Sequence, residues 1–513
     1  MNSMLLKILK ITFIGLIHMP WLCAQTPCID GVADGYPCSN VDLLARLSLD
    51  DLQADIVNGV SANDIWGWTD PDTGKEYALI GMFNGTSFID VSDPVNPIVI
   101  GRLPGHFEAS GNPENRSSSA IWRDVKTNGN YAYTVSEDGE HGIQIFDLRQ
   151  LRHVTNPPVT FEETAHYDGI NDAHNIVINE ETGFAYAVGA TGGTSCNSGG
   201  LYMMDISNPI RPRHVGCYDL AGYTHDAQCV VYKGPDTKYL GKEVCINSNR
   251  NRLVFVDVSD KSNPKNIISA FYDGFGYTHQ GWLTEDHKFF FANDEKDELN
   301  WGHTTKTYLW DVRDFDHPEL MGTFEGKLNS VDHNLYVKDR LIYQSNYSSG
   351  LRILDARKIE ENQIEELAYF DTYTIDNEAS YNGSWSNYPF FESGTIIVSD
   401  RQNGLFILKH TLDLEEEEAE ITGIDGEMFE ITPFSITPNP VSDFLSITPN
   451  QAMVNITSVL IRDLQGRLIK TLDLEGSSIK GKESFDVSFM DEGLYYLQVS
   501  AGQSLYQQKF IVR

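Results

Sequence analysis

The sequence predicts an all-β protein: a seven-bladed β-propeller closed by an N-terminal strand, followed by a small C-terminal β-sandwich. An apolar strand that ends in a polar residue and a turn, as in residues 253–264, recurs seven times, about every fifty residues. A strand-like segment at 43–49 precedes the first complete repeat, while the last repeat lacks its outermost strand. Pairing the two would close the ring and remove the open edges of its sheets.

Each repeat contains an apolar run without alternation, which is typical of a strand buried on both faces. The Asp that ends the run can accept hydrogen bonds from backbone N–H groups of the turn after it. Two further strands precede each run and one follows, so we predict four strands per repeat. The residues that end the seven runs are Asp90, Asp147, Asp205, Asp257, Asp311, Asp355 and Lys409.

Composition divides the chain into five segments. Residues 1–24 combine lysines near the start with an apolar stretch, which predicts a secretory signal peptide. A cysteine-containing loop at 25–41 leads into the propeller at 42–410. An acidic, self-repelling linker at 411–431 separates it from the sandwich at 432–513, where strands alternate and turns are tight. No other stretch is apolar and long enough to span a bilayer.

Six cysteines follow the predicted signal peptide, and six allow fifteen pairings. The repeat register narrows the possible pairings, because two cysteines fall on the inner strands of one repeat and two others bracket one short loop. An exported chain meets oxidising conditions, which favour disulfides over free thiols. The predicted pairs are Cys229–Cys245, Cys28–Cys38 and, by elimination, Cys196–Cys217.

The net charge of −35 argues against nucleic acid and anionic membranes as partners. It fits a solvated extracellular surface, or one that meets divalent cations.

The C-terminal segment resembles the sorting domain of proteins exported by the type IX secretion system of Bacteroidota. The resemblance lies in the entry Pro438-Asn-Pro440, in Asp463-Leu-Gln-Gly466, in the strand 493–499 and in the terminal Lys509–Arg513. It implies that the type IX machinery is a partner, and that the chain crosses the outer membrane and is then released or held at the cell surface. An adhesive immunoglobulin-like module is the alternative.

The preceding region resembles the choice-of-anchor B family, which is built from LVIVD repeats. The matching motifs run from Cys28 to Trp385 and include Asn63-Asp-Ile-Trp66, Tyr223-Thr-His225 and Thr278-His279-Gln. The resemblance implies the propeller fold and an extracellular or outer-membrane-surface location after export to the periplasm. It implies no biochemical activity.

A polar position recurs just before each predicted innermost strand. Four consecutive repeats have His there, and loops that open on the same face supply carboxylates, so we expect these groups to converge on a central funnel. Imidazole ligands would suit a transition metal, whereas carboxylates alone would suit calcium. The candidate ligands are His174, His225, His279, His333, Asp124, Asp226, Asp294 and Glu295. The alternative is structural: one His per repeat bonded to the adjoining strand.

Two functions follow from these alternatives. The first is a non-catalytic binding or scaffold propeller for an extracellular protein or glycan. The second is a metal-dependent hydrolase or oxidoreductase with an Asp or Glu as base. The sequence contains no nucleophile elbow, phosphate loop, dinucleotide fingerprint or zinc helix motif. The acidic run 293–298 lacks the spacing of an EF-hand loop, and we predict a solvated loop there.

Overall fold

The computed structural model describes residues 25–106, 122–193, 196–414 and, with interruptions, 434–512. The chain divides into two compact units, Met1–Asp413 and Leu414–Arg513, with the division inside the predicted linker. The predicted signal peptide and most of the linker lie outside the described residues. Within the described part, no helix has the length and apolarity needed to cross a bilayer.

The first unit begins with three strands and continues with groups of four. The leading strands are β1 (Val32–Ala33), β2 (Tyr36–Ser39) and β3 (Val41–Leu47). The first group is β4–β7, at Ala62–Thr69, Glu76–Met82, Gly85–Asp90 and Ile98–Pro104. The second is β8–β10 and β12, at Arg123–Asn128, Tyr131–Ser136, Ile143–Asp147 and Ala165–Tyr167, with β11 (Val159–Thr160) between the last two. The third is β13–β16, at Asn175–Asn179, Phe184–Val188, Leu201–Asp205 and Arg213–Tyr218.

The remaining groups repeat this pattern. The fourth is β17–β20, at Asp226–Val231, Glu243–Ser248, Leu253–Asp257 and Lys265–Ala270. The fifth is β21–β24, at Thr278–Leu283, Phe289–Asp294, Lys306–Asp311 and Glu319–Glu325. The sixth is β25–β28, at Asn334–Lys338, Leu341–Ser345, Leu351–Asp355 and Glu365–Phe370. Three strands end the unit, β29–β31, at Ser384–Tyr388, Ile396–Asp400 and Gly404–His410. The described helices are α1 (Asp297–Trp301) and two 3-10 turns, Leu148–His153 and Ile359–Glu361.

Each group forms an antiparallel sheet in chain order, and the described first unit contains seven such sheets. The last sheet is completed by β3, which pairs with β31 from Val41 opposite His410 to Leu47 opposite Leu405. The pairing predicted for the segment at 43–49 is therefore present. Outside the predicted pattern, β11 extends the first sheet and β1–β2 extend the sixth. The all-β class is confirmed.

The first strands of the sheets contact one another in a cycle. Strand β4 lies against β8, and the contacts continue through β13, β17, β21, β25 and β29, which returns to β4. Apolar side chains fill the space between neighbouring sheets, as where Phe255 of the fourth sheet and Trp310 of the fifth share one cluster. The sheets are consistent with the blades of a propeller, in which the first strands would surround the axis.

In six of the seven sheets, the Asp at the end of the third strand bonds to the turn after it, as predicted. In the fourth sheet, Asp257 Oδ1 accepts the backbone N–H of Ser259 at 3.1 Å. The carboxylates of Asp90, Asp147, Asp205, Asp311 and Asp355 accept the equivalent N–H two residues on. The three predicted disulfides are also present: Cys28–Cys38, Cys196–Cys217 and Cys229–Cys245.

The second unit contains two described sheets. Its strands are β32–β38, at Phe434–Thr437, Phe444–Pro449, Ile456–Arg462, Leu468–Thr471, Glu483–Asp486, Gly493–Ala501 and Ser504–Val512. One sheet has the order β32-β33-β36 and the other β35-β34-β37-β38. Buried residues of both sheets, including Leu445 and Val499, belong to one apolar cluster.

A buried carboxylate joins the third and fourth sheets. Glu243 accepts hydrogen bonds from Asn179 at 2.9 Å and from Tyr186 at 2.5 Å. Its second oxygen pairs with Lys261 Nζ at 2.7 Å, and both side chains of this pair are less than a tenth exposed. The group satisfies polar atoms that apolar contacts between sheets would leave unpaired.

We predict that Lys261→Met lowers the free energy of unfolding by about 3 kcal/mol, because it leaves the Glu243 carboxylate buried without its cation. Urea denaturation of the secreted chain measures this. The matched control is Lys233→Met, which breaks the exposed pair between Lys233 and Glu181 and should cost at most about 1 kcal/mol. Equal losses in the two variants would contradict the interpretation.

Candidate functional site

Four imidazoles lie side by side at or just before the starts of β13, β17, β21 and β25. Four consecutive sheets thus contribute one ring each. The centroids of successive rings are 4.1, 4.5 and 4.2 Å apart. The group, which we call the histidine row, consists of His174, His225, His279 and His333. The last three are buried, and the structure therefore brings together all four predicted histidines.

Two rings of the row bond to the next sheet through one nitrogen. His279 Nδ1 lies 3.2 Å from the backbone oxygen of His333, and His333 Nδ1 lies 2.6 Å from that of Trp385. Because a carbonyl oxygen only accepts, we assign the proton of each neutral ring to Nδ1. Nε2 of both rings then carries a lone pair. The predicted structural role accounts for one nitrogen of each ring and leaves the other available to a ligand.

A carboxylate stands at the start of the row. His174 Nδ1 lies 2.6 Å from Glu137 Oε1, and its Nε2 lies 3.2 Å from Nε2 of His225. Burial lowers the pKa of His174, but the Glu137 carboxylate outweighs it and the pKa is raised. Burial and the neighbouring imidazoles hold the pKa of His225 well below its ordinary range. The Glu137 carboxylate therefore favours the protonated form of His174, whereas His225 favours the neutral form.

A second carboxylate, Glu295, stands at the other end. Its Oε1 lies 3.7 Å from His333 Nε2 and accepts the Tyr347 hydroxyl at 2.7 Å. One ligand atom from each of His279, Glu295 and His333 lies within 4.8 Å of the others. Burial lowers the pKa of His333 to about 3, so its imidazole is neutral at physiological pH.

Neutral imidazoles with one carboxylate form a ligand set for zinc, iron, manganese or copper. Ligand atoms that surround one ion at tetrahedral angles, with bonds of about 2.1 Å, lie about 3.4 Å apart. The three ligand atoms therefore need to approach one another by up to about 1.4 Å to meet one ion. The Nδ1–H bonds of His279 and His333 to carbonyl oxygens also fix the orientation of the rings. In metal sites, a hydrogen bond from the nitrogen that does not bind the metal has the same effect.

Two predicted carboxylates belong to first strands of the sheets, Asp124 to β8 and Asp226 to β17. Asp124 Oδ1 pairs with Lys126 Nζ at 2.5 Å, and its other oxygen accepts the N–H of Ile176. Asp226 is half-buried beside this pair, and desolvation raises its pKa to about 7. Asp226 and Lys126 border a cavity of about 270 Å³ along the inner strands, with aromatic walls from Trp66, Trp282 and Tyr336. Asp124 and Asp226 therefore form a polar layer around Lys126, next to the histidine row.

Asp294, the last residue of β22, does not join the row. Its Oδ2 accepts the Tyr272 hydroxyl at 2.7 Å and the N–H of Gly276 at 2.8 Å. Successive residues of an extended chain point to opposite faces. Glu295, the residue after β22, therefore points to the row, whereas Asp294 points away.

A cavity of about 220 Å³ opens beside Glu295. Its walls combine aromatic rings with two cationic side chains, Lys296 and Arg401. The aromatic lining residues are Trp122, Tyr347, Tyr381 and Trp385. Sequence reasoning did not single out Arg401, which follows the second strand of the seventh sheet at the position that Glu295 occupies in the fifth.

The acidic run at 293–298 is not the solvated loop that its spacing predicted. Asp294 and Asp297 are 0% exposed and Glu298 is 2% exposed, since α1 folds this segment against the sheet. Burial and the neighbouring Asp297 raise the pKa of Glu298 to about 10. Only the packing of α1 reveals this burial.

A second group of ligand type also went unnoticed. Ligand atoms of His106, Glu163 and His166 lie within 4.8 Å of one another, and the two imidazoles are stacked with centroids 3.7 Å apart. Gln144 donates to Glu163 at 3.0 Å. The one signal in the sequence was the short spacing between Glu163 and His166.

Two family models match parts of the chain. The secretion system C-terminal sorting domain matches residues 435–513. The LVIVD repeat matches residues 74–103, 196–220 and 238–270. These three stretches contain the outer strands of the first, third and fourth sheets. No protein of curated function matches the chain.

Solved structures with similar folds include PorZ, described as an essential surface component of the type IX secretion system of Porphyromonas gingivalis. The identity is 13% and the TM-score 0.39, over 86% of this chain and 58% of PorZ. A protein from Lactobacillus plantarum matches with 11% identity and a TM-score of 0.42, over 83% of this chain and 99% of its own.

We predict that Glu137→Gln lowers the pKa of His174, because burial is then no longer opposed by a carboxylate. A pH titration of the histidine resonances by NMR on metal-free protein measures the change. The spectrum of the exposed His317 should be the same in both proteins. An unchanged titration of His174 would contradict the role assigned to Glu137.

Proposed function

We propose that this chain, which carries LVIVD repeats and a type IX sorting domain, is an extracellular propeller that binds a divalent transition metal at its axis. The cyclic contacts of the seven sheets and the β3–β31 pairing support a seven-bladed propeller at 42–410, of the choice-of-anchor B type. The common core of the two C-terminal sheets supports a small sandwich at 432–513. The sorting domain and disulfides indicate an extracellular or cell-surface protein that interacts with the type IX machinery.

The observation that carries the metal proposal is the pair of Nε2 lone pairs beside a half-buried carboxylate. His279, His333 and Glu295 are the proposed ligands, and their ligand atoms already lie within 4.8 Å of one another. His225 lies beside His279, with centroids 4.5 Å apart and ring planes inclined by 51°, and would supply a fourth nitrogen. A bound ion would be coordinated by these three groups, which otherwise lie together in a largely buried environment.

The surrounding residues hold the ligands in place. Backbone oxygens of His333 and Trp385 fix the two ring tautomers. The Tyr347 hydroxyl orients Glu295. Because these partners belong to different sheets, the site forms only when the fifth, sixth and seventh sheets are assembled.

We predict that the purified secreted protein, after equilibration with zinc or manganese and desalting, retains about one equivalent of metal. Elemental analysis measures this. A His279→Ala/His333→Ala double variant should lose the metal, whereas His317→Ala, which removes an exposed imidazole, should keep it. Metal-free wild-type protein, or equal loading of the double variant, would refute the proposal and leave a non-catalytic scaffold.

A metal-dependent enzyme is the second candidate, and the cavity beside Glu295 favours it. Lys296 and Arg401 would attract an anionic substrate in a chain whose net charge is −35. The metal would act as a Lewis acid, and Glu295 or a neighbouring carboxylate as the base. Arg401→Gln should then weaken the turnover of anionic esters by the metal-loaded protein without changing its metal content.

We predict that a chain truncated after Asp413 accumulates inside the cell envelope, because it lacks the matched sorting domain. Immunoblots of cell and medium fractions measure this. The truncated protein should retain the disulfide-linked fold, since the first unit is compact by itself. Normal export of the truncated chain would contradict the role of residues 435–513.

A further inference from the structure

Four fully buried carboxylates gather between the fifth and sixth sheets. Three come from the end of β22 and from α1, and the fourth comes from the loop before β25. They are Asp294, Asp297, Glu298 and Asp332, and each is 0–2% exposed. The group is distinct from the histidine row, although Asp294 and Asp332 immediately precede Glu295 and His333 in the chain.

The protein satisfies only some of these oxygens. Asp294 and Asp297 accept the hydroxyls of Tyr272 and Tyr308 at 2.7 and 2.8 Å. Glu298 Oε1 accepts the N–H of Lys306 at 3.2 Å. Among the described residues, neither oxygen of Asp332 has a hydrogen-bond partner within 3.5 Å, and the same holds for Glu298 Oε2.

Asp332 is the informative member, because it belongs to a different repeat from the others. It is 0% exposed, and its strongest charge interactions are with Glu298, Asp297 and Asp294, in that order. The backbone N–H of Asp294 favours its charged form more weakly, without the geometry of a hydrogen bond. An unpartnered carboxylate is thus aimed into a cluster of like charges, which is costly unless a cation lies between them.

Within the described residues, one basic side chain forms a close contact with a carboxylate of the cluster. His303 Nε2 lies 3.6 Å from Asp297 Oδ2 and is partly exposed, at 22%. Ligand atoms of Asp297, Glu298 and His303 lie within 4.8 Å of one another. One imidazole cannot balance four carboxylates, and its exposure places one side of the cluster close to solvent.

We propose that this cluster binds a divalent cation that prefers hard oxygen ligands, of the calcium type, through Asp297, Glu298 and Asp332. Calcium takes several carboxylate oxygens at about 2.3–2.6 Å in flexible geometry, and extracellular modules bind it at about 0.1–1 mM. The ligands come from two repeats, so the ion joins the fifth sheet to the sixth. It also fixes the backbone on which Glu295 and His333 stand. The proposal is independent of the transition-metal site.

The first test is terbium luminescence with the full secreted chain after treatment with EDTA. Terbium substitutes for calcium, and Tyr308, which bonds to Asp297, should sensitise its emission. Calcium should displace terbium competitively. Asp332→Asn and Glu298→Gln should each weaken the terbium affinity by about tenfold or more, since even indirect partners of a metal contribute that much. Asp273→Asn, an exposed carboxylate of the same repeat, is the matched control and should bind as the wild type does.

The second test is thermal unfolding with and without calcium. The wild type and Asp273→Asn should unfold at a higher temperature in calcium than in EDTA, and Asp332→Asn should show no difference. In EDTA, Asp332→Asn should be at least as stable as the wild type, because it removes a buried charge that has no partner. A folding defect is therefore distinguishable from loss of the ion.

His279→Ala/His333→Ala should keep the calcium response, which separates this proposal from the transition-metal site. Wild-type protein with neither terbium emission nor a calcium-dependent unfolding temperature would overturn the inference. The carboxylates would then be neutralised by protons. Terbium binding that persists undiminished in Asp332→Asn would overturn it as well, by placing the ion elsewhere.

Discussion

Neighbouring sheets of the first unit meet without a continuous backbone ladder between them, so side chains must bond across the gap. Asp124 of the second sheet accepts the N–H of Ile176 in the third. Gln280 of the fifth sheet donates to and accepts from the backbone of Leu335 in the sixth. These contacts explain why the inner strands contain buried polar residues where a sheet face would normally be apolar. The histidine row follows from the same requirement.

In this row, the structural role and the proposed ligand-binding role are compatible. The Nδ1 atoms of His279 and His333 bond to the next sheet, and that bond leaves Nε2 with a lone pair. The bond that joins the sheets therefore leaves the proposed ligand atom free. Two successive repeats have this arrangement, and the carboxylates of Glu137 and Glu295 stand at the two ends of the row.

Features encoded within one repeat were predictable from the sequence. The Asp turn, typified by Asp257 and Ser259, depends on residues two positions apart. The pairing of Cys229 with Cys245 and the convergence of four histidines needed only the repeat register. The opposite directions of the Asp294 and Glu295 side chains were not predictable, because they depend on where β22 ends. The burial of Glu298 and Asp332 was not predictable either, since it arises from contacts between two repeats and the packing of α1.

The pairing of β3 with β31 has a consequence for the order of events during folding. The two strands stand at opposite ends of the first unit, from Val41 opposite His410 to Leu47 opposite Leu405. Contacts between such distant residues form slowly, because the intervening chain must be gathered first. A nascent or translocating chain therefore keeps its leading strand unpaired until the final repeat is available. One of the earliest segments to be synthesised is thus among the last to become ordered.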